Sequence, residues 1–269
     1  MTERSGWVPD GVDTGLPSAA RLYDYLLGGG HNFAADRALA EKFLRAQPNA
    51  RTIARLNRSF LRRAVLYLVG RGVRQFLDLG SGIPTVGNVH EIAWRAAPEA
   101  RVVYVDYEAV AVAHSRMMLA HDERAAVLQE DLTDPDAVLA AARRTGLLDL
   151  AEPLGLLTVG VLHFVAPEDD PAGVLAAYRD AVAPGSGLAL SQFTADLQPV
   201  EMAGIVEVMK KSTNPVHPRS LAEITEFFAG FEIVEPGVVP LPLWRPEEGA
   251  VGEVDPARAG ILAGVGSKR

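Results

Sequence analysis

Residues 73–85 read VRQFLDLGSGIPT, and the fold turns on this stretch. A short apolar run ends on an aspartate, enters a glycine-rich turn and is followed by helical patterning. The same grammar continues downstream. ARVVYVD (100–106), AAVLQED (125–131), LGLLTVGVLHFV (154–165) and the run Gly185–Phe193 read as strands. Helical patterns over Val86–Ala97, Val110–Leu119, Pro135–Arg144 and Pro171–Val182 separate them. Strands alternating with helices imply right-handed crossovers and a parallel sheet covered on both faces. The near-continuous apolar runs VVYV and LLTVGVL suit strands buried on both sides.

Upstream of Val73 the pattern is purely helical. Pro17-Ser18 opens a helix that stops at Gly28-Gly29-Gly30; further helices are expected over 35–46 and 53–69. The chain therefore divides into a loose Gly/Asp/Pro-rich arm (1–16), an N-terminal helical cap (17–70) and an α/β, Rossmann-like domain (71–269). Beyond the fifth strand, helices are expected near Met202–Lys210 and Ser220–Phe228. FEIVEPGVVPL (231–241) reads as extended, and a last strand is placed at Arg258–Val265.

Composition narrows the function. The 269 residues are 48% hydrophobic and 22% charged, enough apolar material for a sizeable core. The net charge of −8 argues against a nucleic-acid partner, with Arg51–Arg63 the one basic candidate. The chain has no cysteine, which excludes disulfides, thiolate metal sites and cysteine nucleophiles. No signal-peptide pattern opens the sequence and no transmembrane run occurs, so a cytoplasmic location is expected.

The glycine turn specifies a ligand class. A dinucleotide fingerprint needs a third glycine where Thr85 stands, and no G-K-[ST] follows for a phosphate loop. What remains is Asp78-x-Gly80-Ser81-Gly82. A carboxylate at this strand end repels a diphosphate and suits an ammonium or sulfonium, which favours S-adenosylmethionine over NAD or ATP. Asp106, about 20 residues on, can accept from ribose hydroxyls, and Asp131 from an adenine amino group. Tyr107, Leu132 and Val161 fall along the same strand-end edge. Each aspartate could instead simply cap the next helix or form an Asx turn.

These features resemble a class I S-adenosylmethionine-dependent methyltransferase. More narrowly, the segments PSAARLYDYLLGGGHNFAADR, ARLNRSFLRRAVLYL, GVRQFLDLGSGIPTVGNVHEIA, ARVVYVDYEAVAVAHS and AYRDAVAPGSGLALSQFT resemble the bacterial family catalogued as domain of unknown function 574, also called the S-adenosyl methyltransferase family. The resemblance runs from about Pro17 onward. It implies a seven-stranded sheet of order 3-2-1-4-5-7-6 with the last strand antiparallel, and cap helices over the cofactor edge. It also implies Gly80 and Gly82 at the methionine part, Asp106 at the ribose, and Asp131 with Leu132 at the adenine. Gly28, Gly29, Asn32, Phe33 and Asp36 match the family's G-G-x-x-N-[FY]-x-x-D stretch. Pro84 stands where the wider class often has glycine.

Methyl transfer from a sulfonium is an in-line displacement, and the protein supplies alignment and a dry site. A general base is needed only for a protonated acceptor, and His163 at the fourth strand's end is the candidate, as pocket lining or as base. His31 and Asn32 read as a lid after the three glycines, with Asn32 or Tyr23 reaching the cofactor carboxylate. No histidine spacing suggests a metal site. The expected function is methylation of a small-molecule acceptor, with S-adenosylhomocysteine as product. A non-catalytic sensor of the cofactor is the alternative, and an NAD-dependent oxidoreductase is disfavoured by Thr85 and Asp78.

Overall fold

The structure, a computed structural model, describes residues 9, 12–85, 87–210, 212–247 and 255–269. Most of the expected arm, together with Val86 and Lys211, lies outside them. Three helices come first: α1 (Ala19–Leu27), α2 (Ala34–Ala46) and α3 (Ala50–Gly70). Ser18 caps α1 by accepting from the Arg21 N–H, and α1 ends where Gly28 turns left-handed at φ 87°.

The alternating series follows as read: β1 (Gln75–Leu79), α4 (Val89–Ala96), β2 (Arg101–Asp106), α5 (Ala109–Leu119), β3 (Ala125–Gln129), α6 (Pro135–Arg144), β4 (Gly155–Val159), α7 (Pro171–Ala181) and β5 (Gly187–Phe193). After α8 (Pro199–Met209) and α9 (Leu221–Glu226) the chain adds β6 (Glu232–Ile233), β7 (Val239–Pro240) and β8 (Ile261–Ser267). The sheet order is β3-β2-β1-β4-β5-β8-β6, with β7 also on β8. β1 to β5 are parallel and β8 runs antiparallel to β5, as the resemblance implied. The expected sixth strand is split into β6 and β7 by Pro236 and Gly237, because proline cannot donate to a ladder. β4 also stops earlier than expected. Gly160 takes φ 76° after it, so Leu162–Phe164 forms a single 3-10 turn and His163 sits on that turn rather than on the strand.

Successive strand residues point to opposite faces, so neighbours in β1 feed two cores. Phe76 joins Phe60, Leu61, Val65 and Leu68 of α3 and the fully buried Trp244 on one face. Leu77 and Leu79 join Val103, Leu156 and Tyr178 on the other. Each such fully buried side chain contributes about 1.5–3 kcal/mol. A third cluster sits apart from the sheet. Leu22 and Leu26 of α1 and Phe43 of α2 pack on Met202, Ile205 and Met209 of α8. The crossovers from β1 to β2 and from β3 to β4 leave in opposite directions, which opens a crevice at the carboxyl ends of β1 and β4. No helix among the described residues is long and apolar enough to cross a membrane.

Candidate functional site

A cavity of about 300 Å³ occupies that crevice and continues among α1, α2 and α3. One wall is the glycine turn. Gly80 and Ser81 both donate their backbone N–H to Val105 O, at 2.8 and 3.0 Å, which ties the turn to the end of β2. Gly80 adopts φ 71°, and a Cβ there would lie 2.1 Å from Val161 Cγ2. Only glycine fits this contact. Gly82 is also left-handed, at φ 67°, but a Cβ on it would meet nothing within 4 Å. Its surroundings are open space. The Ser81 hydroxyl is enclosed and has no hydrogen-bond partner among the described residues. An orphaned hydroxyl beside an open glycine fits a polar ligand lying along the turn.

Asp106 closes the end of β2. Its two carboxylate oxygens accept from Gly82 N at 2.7 Å and Glu108 N at 2.9 Å. Each oxygen keeps a further lone pair for a ligand hydroxyl. Burial raises its pKa to about 6, against the lowering effect of these two N–H donors. Asp78 lies below the turn rather than in the main cavity. It lines a small secondary void with Arg58, His90 and Tyr104. Burial raises its pKa to about 7; Arg58 pulls it down and Asp106 pushes it up.

Arg58 is a residue that the sequence reading passed over. It lines both voids and donates to Gly87 O at 2.7 Å. A signal was present: Arg58 falls four residues after Ala54 and three before Leu61, on the apolar face of α3. A cation placed there faces the core rather than solvent. Glu108 also lines the cavity and is partly buried.

Tyr107, Asp131, Leu132 and Val161 all line the cavity. Asp131 also forms the Asx turn weighed against its binding role, accepting from Thr133 N at 2.8 Å and Thr133 Oγ1 at 2.7 Å. The Leu132 carbonyl is fixed by the Tyr178 hydroxyl, which donates at 2.9 Å.

The glycine-histidine-asparagine stretch does not form a lid on the cavity. It folds inward around the buried Asp24, which accepts from His31 N and from Asn32 Nδ2, each at 2.8 Å. Gly29 is required there, since a Cβ would fall 1.9 Å from Asp24 Oδ1. The His31 ring stacks edge-on against His114 of α5, with centroids 3.5 Å apart. The matching Asp36 is fully buried. It accepts from Ser18 N, Phe33 N and Arg21 Nε, and Arg21 reaches on to Glu108 at 2.6 Å. The motif thus builds a buried polar knot that ties α1 and α2 to the start of α5. His31 and Asn32 sit in this knot, outside the described cavity lining.

Tyr23 does line the cavity, but its hydroxyl donates to Ala54 O at 3.1 Å and accepts from Asn57 Nδ2 at 3.3 Å. Asn57 Oδ1 in turn accepts from Ser191 Oγ at 2.6 Å. His163 also lines the cavity, packed against Phe164 and Phe193 with centroids 4.4 and 4.2 Å away. Its Nδ1 is enclosed without a partner. Burial lowers its pKa to about 3, and Arg219 and His217 lower it further. The ring is therefore neutral at physiological pH and, with so low a pKa, only a weak proton acceptor.

The comparisons with known proteins bear on the fold and the family. None of the curated proteins matches the chain. A crystal structure of a family-574 protein from Streptomyces avermitilis superposes with a TM-score of 0.91 at 36% identity, over 96% of this chain and 99% of that one. A crystal structure from Thermobifida fusca, described as a candidate methyltransferase, superposes with a TM-score of 0.92 at 40% identity, over 98% and 100%. The family model for S-adenosyl methyltransferase matches residues 5–269. The chain belongs to the S-adenosyl methyltransferase family.

Proposed function

We propose that this protein transfers the methyl group of S-adenosylmethionine to a small-molecule acceptor held beneath the cap. One observation carries this reading: a single cavity is lined at one end by Gly80, Ser81, Gly82 and Asp106, and at the other by cap residues such as Leu22 and Phe43. The first end has the features a nucleoside amino acid needs, and the second offers a dry place for a second molecule.

In this reading Asp106 accepts from the ribose hydroxyls, and Asp131 with Leu132 borders the adenine. Ser81 and the Gly82 backbone border the methionine part. Arg58 supplies a positive charge near its carboxylate, and Asp78 balances the ammonium from below. Val161 holds the turn against β4's end, and Tyr107 covers the outer side. Tyr23 and the neutral His163 face the acceptor. When bound, the cofactor supplies an electrophilic methyl on a sulfonium. The protein's own residues align the two molecules and exclude water.

Calorimetry with S-adenosylhomocysteine tests the reading. Binding in the micromolar range, on the order of 7–8 kcal/mol, is expected. NAD should not bind, and Asp106→Ala should weaken binding at least about tenfold. A folded protein that ignores S-adenosylhomocysteine would sink it.

A further inference from the structure

The acceptor end has a chemical character of its own. Every cavity-lining residue from α1, α2, β5, α8 and β8 is uncharged: among them Leu22, Leu26, Phe43, Phe193, Met209 and Ile261. The charged lining residues Arg58, Asp106, Glu108, Glu130 and Asp131 belong to the cofactor end, and Asp169 to the turn after β4. Transferring a formal charge into such a chamber without a partner costs several kcal/mol. Aromatic faces and a thioether, by contrast, favour a flat ring.

The polar groups of this end are unequal. Tyr23, Asn57 and Ser191 satisfy one another in a closed chain ending on Ala54 O. The His163 Nδ1 has no hydrogen bond among the described residues, although the residue is only 3% exposed. A buried ring nitrogen left without a partner in an otherwise satisfied wall marks where a ligand's own polar group belongs.

Resting on the reading above, we propose that the acceptor is an uncharged, ring-bearing apolar molecule whose single polar substituent hydrogen-bonds His163. The ring lies among Phe43, Phe164, Phe193 and Met209. His163 acts as a positioning residue that turns the substituent toward the cofactor end. It takes up no proton.

The test uses the full chain saturated with S-adenosylhomocysteine, titrated calorimetrically with 2-naphthol, naphthalene and naphthalene-2-sulfonate. The expected order is 2-naphthol tightest, naphthalene about fivefold weaker through the missing hydrogen bond, and the sulfonate at least about tenfold weaker. His163→Phe keeps the aromatic packing and removes the polar atoms. It should bring 2-naphthol down to the affinity of naphthalene and leave naphthalene unchanged. Equal or tighter binding of the sulfonate overturns the proposal, as does an undiminished preference for 2-naphthol in His163→Phe. If S-adenosylhomocysteine binds but no naphthalene compound does, the acceptor class is wrong and the cofactor reading stands. If S-adenosylhomocysteine itself fails to bind, both fall.

Discussion

Cofactor binding should weaken in mild acid, and Asp106 sets the midpoint. Two ribose hydroxyls can donate only to an ionised carboxylate, so the ligand selects the charged form of Asp106. In the free protein that form is held back by burial, which places the pKa at about 6. Linkage then fixes the size of the effect. At pH 8 nearly every molecule is ready to bind, whereas at pH 5 only about one in eleven is. The dissociation constant for S-adenosylhomocysteine should therefore rise about tenfold between pH 8 and pH 5, about 1.4 kcal/mol, with the bend near pH 6. Isothermal titration in a constant-ionic-strength buffer series reads this directly. Asp106→Asn should bind weakly at every pH and lose the bend, and any slope it retains belongs to Asp78, whose pKa lies near 7. A wild-type affinity that is flat from pH 5 to pH 8, or an Asp106→Asn variant with the full wild-type slope, refutes the argument.

Two further outcomes concern the scaffold. Gly80→Ala forces a left-handed alanine and a 2.1 Å approach to Val161; together these cost about 2–5 kcal/mol in urea unfolding. Adding Val161→Gly removes both the 2.1 Å Cγ2 and the 2.7 Å Cβ approaches, so it should relieve the clash but not the left-handed strain, and complete recovery would show that backbone strain is absent. Asp36→Ala strips partners from Ser18, Phe33 and Arg21 at once. The loss expected for a broken buried ion pair is about 3–5 kcal/mol by denaturant melt, and a loss under about 1 kcal/mol would contradict the knot's structural weight.

The sheet and the cofactor edge were legible because they rest on local pattern. Near-continuous apolar runs that end on Asp78 and Asp106 mark the strand ends, and the paired glycines Gly80 and Gly82 mark the turn after β1. His31 and Asn32 misled for a physical reason. Three glycines free a chain to bend either way, and nothing local says whether the turn faces a ligand or folds back on its own helix. Here the decision lies with Asp24, seven residues before His31, whose burial is a tertiary fact. The acceptor end was hidden for another reason. Leu22, Leu26, Phe43 and Met209 have the spacing of ordinary core residues, and only the packing of α8 against α1 and α2 leaves a space between them.

The length of α3 bears on how molecules enter and leave. Its first turns, with Ile53, Asn57 and Arg58, line the cavity, while Phe60, Leu61, Val65 and Leu68 are sunk in the core against the sheet. A rigid-body swing of all three cap helices would tear those side chains out of their packing, at about 1.5–3 kcal/mol each. In the proposed reading, exchange of ligands therefore leaves α3 in place. On that reading α3 is the common floor of both halves of the proposed site, a reference surface built into the core of the sheet domain.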